Sequence, residues 1–143
     1  MGGLLPEASA EKKGLKPNYE ANILNINIAT VNSGKYTKIT SKTENLTLIW
    51  KRTQYNAVPE IVFISRGNNT AIRAGIATRL NTTSYLKKPN IYIDNSGALY
   101  LQVEFSDYAQ NCIFNLLGSY PIRNEGEVEL PSDATPITIQ DVN

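Results

Sequence analysis

From Ala21 onward, apolar and polar residues alternate with a period of two, and that period demands extended backbone. Successive side chains of a strand point to opposite faces, so alternation buries one side and leaves the other to solvent. Leu24, Ile26 and Ile28 share one face of a first strand, interleaved with Asn25 and Asn27. Leu46, Leu48 and Trp50 repeat the pattern between Asn45 and Lys51. The turn Asn32-Ser33-Gly34 leads into a short strand from Tyr36 to Thr40. Within Pro59 to Ser65, the run Ile61-Val62-Phe63-Ile64 is apolar on both faces and belongs centrally in a sheet. The turn Gly67-Asn68-Asn69 precedes a strand from Ala71 to Leu80, where Gly75 marks a bulge or a close backbone approach.

The clearest hairpin follows Pro89. Ile91-Tyr92-Ile93 runs into the turn formers Asp94-Asn95-Ser96-Gly97, and Leu99, Leu101, Val103 and Phe105 then share one face. Asn111 to Leu117 reads as a strand closed by Gly118, with Val128-Glu129-Leu130 and a last strand from Pro136 to Gln140 beyond it. Surface loops are expected over 53–58 and 118–127. Eight or nine short strands at this spacing imply an all-β domain, an antiparallel, jelly-roll-like β-sandwich. The abundance of Thr, Ile and Tyr suits a pleated surface, and Asn suits the turns. At 143 residues one domain is expected: a lead-in over 1–20 and a head over 21–143. Within the lead-in, Pro6 to Leu15 reads as a short helical turn that Gly14 stops and Pro17 prevents from continuing.

The residue inventory excludes much chemistry. There is no His, which removes the commonest general base, the usual zinc ligand and every Ser-His or Cys-His nucleophile. The single Cys112, in the run Cys112-Ile113-Phe114, reads as a small buried hydrophobe, with a reactive or oligomer-linking thiol as the alternative. No glycine-rich phosphate loop occurs. Paired carboxylates remain the one hydrolytic route, with Asp94, Glu104, Asp107 and Glu60 as candidates. Capping a turn is the ordinary work of Asp94, and a solvated face that of Glu104. Asp94, Asn95 and Asp107 could hold calcium, but their spacing matches no known loop. No catalytic residue, metal or cofactor is therefore expected.

A net charge of +1 with scattered Lys and Arg gives no footprint for nucleic acid. No stretch approaches the roughly 20 apolar residues of a membrane helix, so membrane insertion is not expected. The first residues lack the n- and h-regions of an export signal. Sequons at Asn45, Asn68 and Asn81 are what a chain rich in Asn and Thr produces by chance. Loop Tyr, Asn and Arg residues are what a saccharide-reading surface uses, because aromatic faces stack on sugar rings while amides and guanidinium groups bond hydroxyls. Tyr55, Arg66, Asn68, Asn69, Arg73, Tyr85, Tyr108 and Tyr120 fall near loops or strand ends and are the candidate ligand-binding residues.

The segment from Gly3 to Leu15 (Gly-Leu-Leu-Pro-Glu-Ala-Ser-Ala-Glu-Lys-Lys-Gly-Leu) resembles a motif in tail fibres of phages and phage-derived particles. There a Gly-Leu-Leu or Gly-Leu-Met step is followed by a small polar turn, an acidic-Lys-x-Lys stretch and a Leu, often just upstream of a distal β-domain. Here the spacing to the Lys pair is longer, and Gly14 stands where Lys is common. Asn90 to Gln102 is similar in style to the C-terminal heads of such fibres. The resemblance implies a homotrimer in a virion or on an extracellular surface, attaching to a host-surface glycan or protein. A stand-alone carbohydrate-binding or adhesin domain of a bacterial surface protein is the alternative.

Overall fold

The computed structural model describes residues 20–42, 45–52, 59–65, 76–80, 87–105 and 112–142. The helical turn and the lead-in before Glu20 lie outside the described residues, as do the expected strand portion over 71–75 and the 53–58 loop. Eleven strands occupy most of the rest: β1 (Glu20–Ile26), β2 (Ala29–Thr30), β3 (Tyr36–Ser41), β4 (Asn45–Arg52), β5 (Glu60–Ser65), β6 (Ile76–Leu80), β7 (Asn90–Ile93), β8 (Leu99–Val103), β9 (Cys112–Val128), β10 (Thr135–Pro136) and β11 (Ile139–Val142).

The all-β expectation holds, with a different layering. The described strands join into one curled sheet, a half-barrel, in the order β10-β7-β8-β3-β9-β4-β5-β6-β11, with β1 on β9 and β2 on β8. Two stacked sheets do not separate, because β9 serves both halves. Its first part pairs with β4, from Cys112 opposite Arg52 to Leu117 opposite Thr47. Its second part pairs with β3, from Ile122 opposite Ser41 to Val128 opposite Tyr36. Most pairings are antiparallel; β2 with β8 and β11 with β6 are parallel.

The expected last strand, Pro136 to Gln140, divides into two pieces. Thr135–Pro136 pairs with β7 at one end of the sheet order, and Ile139–Val142 pairs with β6 at the other. One short segment thus ties both ends together. Ile137 and Ile139 are buried in the same core as Leu48, Leu101 and Leu116, so this clasp is held by apolar contact as well as by backbone bonds.

The expected break at Gly118 and the loop over 118–127 are overturned, since β9 runs on for 17 residues. Neither Gly118 nor Pro121 occupies a ladder position. Residues 118–121 lie between the β4 and β3 pairings, and the β1 pairing jumps from Leu117 to Ile122 across the same four. Pro121 therefore gives up no ladder bond, the condition under which proline is tolerated in a strand. Gly126 absorbs a bulge: Lys38 faces Gly126 while Ile39 faces Asn124. Its φ is 90°, and a Cβ there would meet nothing within 4 Å. Gly126→Ala should therefore cost backbone strain alone, about 1–2 kcal/mol by urea unfolding.

Alternation decides the two faces. Across β1, β9, β4 and β5, the row Leu24, Leu116, Leu48 and Val62 is in register, and each of these is at most 3% exposed. The neighbouring row Ile23, Leu117, Thr47 and Phe63 points the other way. There Ile23 is 65% and Phe63 45% exposed. β5 thus sits centrally in the pairing, as its sequence implies, and on its second apolar face Ile61 is half-buried while Phe63 is exposed.

The first strand is shorter than its alternation suggests. It ends at Ile26, although Ile28 is still buried, and Ala29–Thr30 pairs separately with Gln102–Val103. Two buried polar side chains secure this crossing. Thr37 Oγ1 accepts the Ala29 N–H at 2.9 Å. Gln102 Nε2 donates to the Lys35 carbonyl at 3.1 Å, and Gln102 Oε1 accepts from Asn90 Nδ2 at 2.8 Å. The β7–β8 hairpin is as read, except that β8 is buried on both faces, Tyr100 and Gln102 included. Cys112 is half-buried and packs against the core from its margin.

Candidate functional site

Of the eight residues proposed to bind a ligand, seven (Tyr55, Arg66, Asn68, Asn69, Arg73, Tyr85 and Tyr108) lie outside the described residues. Tyr120 lies inside them, within the stretch where β9 changes partners. β4 begins at Asn45 and β3 ends at Ser41, so the two strands diverge beside residues 118–121. The divergence opens two hollows of about 530 and 560 Å³. Both are lined by Lys42 and Tyr120; Arg123, Thr40 and Ser41 line one, and Asn45 and Ser119 the other.

Hydrogen bonds hold the walls. Ser41 Oγ donates to the Pro121 carbonyl at 3.0 Å, and Asn22 Nδ2 donates to the Ser119 carbonyl at 3.2 Å. Ser119 and Pro121 are thereby anchored from both sides. Thr40 Oγ1 donates to Glu125 Oε2 at 2.8 Å, and Arg123 Nε lies 3.6 Å from Glu125 Oε1. Ser65 Oγ donates to Asn45 Oδ1 at 2.8 Å. In this setting Tyr120 is 54% exposed. A phenol ring beside two cationic side chains and several hydroxyls suits a ligand with flat apolar faces and hydroxyl or acidic groups.

Comparison with known protein families, curated proteins and solved structures gives no match. The chemistry of the cleft is therefore the guide to what the chain does.

Asp94, Glu104 and Glu60, the described members of the carboxylates singled out from the sequence, each have their own setting. Asp94 caps its own hairpin: Oδ1 accepts from Ser96 N, Ser96 Oγ and Ala98 N, and Oδ2 from the Tyr100 hydroxyl. Burial alone would raise its carboxyl, but these bonds outweigh that and hold it below its ordinary value. Asn95 is tied through its backbone N–H to Asp133 at 3.0 Å. Glu104 pairs with Lys87 at 3.0 Å on the surface. Glu60 is buried opposite Trp50, and Asp107 lies outside the described residues. Among the described residues, no three His, Cys, Asp or Glu side chains gather where they could hold a metal.

Lys42 and Arg123 were not singled out from the sequence. Each looks like an ordinary solvated charge until the β3–β9 pairing brings Ser41 against Ile122. The one local signal was Gly118 and Pro121, which mark an interruption of strand pairing and not the end of a strand.

Proposed function

We propose that this chain is a non-catalytic binding module that recognises a surface saccharide through the Tyr120 cleft. The observation that carries this reading is the half-exposed Tyr120, held at a fork between strands beside Lys42 and Arg123. A ring kept at such a place by hydrogen-bonded walls loses little freedom on stacking against a sugar. Lys42 favours a saccharide bearing a carboxylate or sulfate group, while Arg123, held beside Glu125, lines the same cleft. The resemblance of Gly3 to Leu15 and of Asn90 to Gln102 to tail-fibre segments supports a role in host attachment, with a virion appendage as the setting. A cell-surface adhesin would use the same cleft in the same way.

A glycan array followed by calorimetry with the strongest acidic glycan tests this. Tyr120→Ala should weaken binding about tenfold or more, while Tyr120→Phe keeps most of it, because the ring and not the hydroxyl makes the stack. Neither change should move the melting temperature appreciably, since the ring is outside the core. Equal affinity in Tyr120→Ala and the wild type would sink the reading.

A further inference from the structure

Tyr120 stands between two hollows, and its chain neighbours fall on different sides. Ser119 lines one hollow together with Asn45, and Pro121 lines the other together with Arg123. In extended backbone, residues two apart are separated by roughly 6–7 Å, close to the advance from one pyranose ring to the next along a polysaccharide. The hollows measure about 530 and 560 Å³, each within the range of about 300–1,000 Å³ that holds a small molecule. Lys42 and Tyr120 line both, so an aromatic side chain and a cation are common to the two sides.

Each side adds hydrogen-bonding groups of its own. Asn45 Oδ1 accepts from Ser65 Oγ at 2.8 Å, and a carboxamide whose oxygen is engaged in this way offers its N–H groups to a ring hydroxyl. Across Tyr120, Arg123 Nε lies 3.6 Å from Glu125 Oε1, so a guanidinium and a carboxylate stand together and can meet both the oxygen and the proton of a hydroxyl. Lys42, Asn45, Ser119, Pro121 and Arg123 are all exposed, which lets a polymer enter and leave along the surface. Resting on the saccharide reading of this cleft, we infer that it binds two consecutive sugar units within an acidic polysaccharide, one unit in each hollow. Tyr120 lies between the two rings, and Lys42, the cation shared by both hollows, takes the acidic group. A single sugar fills one hollow and leaves the groups of the other in water, so affinity is built by length.

Calorimetry with the full chain tests this, using the acidic glycan ranked first on the array, prepared as chains of one, two, three and four sugar units. Two units are expected to bind about tenfold or more tighter than one, with less than about threefold gained by further units. Asn45→Ala and Arg123→Ala should each weaken the two-unit chain about fivefold, the effect of one hydrogen bond. Only one of these changes should affect the single sugar, because one ring occupies one hollow. Lys42→Gln, which alters both hollows, should weaken every length and supplies a further variant should either Ala change disturb folding. No binding of any acidic glycan, or equal affinity of Tyr120→Ala and the wild type at every length, removes the saccharide reading and this inference with it. Where Tyr120→Ala does weaken binding, three results overturn the two-unit site alone: equal affinity for one unit and two, a single sugar weakened by both Ala changes, or a two-unit chain indifferent to either of them.

Discussion

Asp94→Ala is expected to lower the unfolding free energy by about 3–4 kcal/mol, the largest single-residue effect outside the apolar core. One buried carboxylate satisfies four donors: Ser96 Oγ at 2.6 Å, Ser96 N at 2.9 Å, Ala98 N at 3.0 Å and the Tyr100 hydroxyl at 2.7 Å. Removing it leaves the Ala98 N–H and the Tyr100 hydroxyl buried without a partner, and each orphan costs about 1–3 kcal/mol. Asp94→Asn keeps an acceptor oxygen and should lose less. The same geometry sets the pH response. The Asp94 carboxyl is held below its ordinary value, so its contribution is complete above roughly pH 4 and fades as pH falls through the folded-state value. Burial and the Asp94 bond raise the Tyr100 hydroxyl, so its contribution is complete below about pH 10 and is lost as pH rises beyond that. Urea unfolding of the wild type, Asp94→Asn and Tyr100→Phe across the pH range checks both limbs. An acid limb unchanged in Asp94→Asn would remove Asp94 as its cause.

The second large effect lies in β9. Leu116→Ala should destabilise by about 3–4 kcal/mol, because Leu116 is fully buried in the row between Leu24 and Leu48 and the cavity it leaves is bounded by sheet backbone that cannot collapse. Its neighbour Leu117 points to the outer face. Leu117→Ala should cost about 1 kcal/mol or less. Equal losses at the two positions would show that the two faces of β9 do not differ as described.

Much of the architecture was legible because alternation is a local property. Leu24, Ile26, Ile28, Leu46, Leu48 and Trp50 all lie in the core that their spacing implies. The hairpin over Ile91 to Val103 followed from Asp94-Asn95-Ser96-Gly97, whose turn chemistry involves only near neighbours. The candidate site was far less legible. Tyr120 drew attention as an aromatic residue near a loop, yet the loop is a strand, and Thr40, Ser41, Lys42 and Asn45, which line the hollows with it, come from a distant part of the chain.

What the sequence determined alone was the extended backbone and which side of each strand is apolar, since a period of two acts on every residue without reference to the rest of the fold. Which apolar side is covered was decided by tertiary pairing. Val62 and Phe63 are adjacent and both apolar, and only the curl of the sheet puts one in the core and leaves the other open. Pairing also made Gly118 and Pro121 the opening of a cleft: strand neighbours are chosen by long-range backbone hydrogen bonds, which leave no mark on the residues between them.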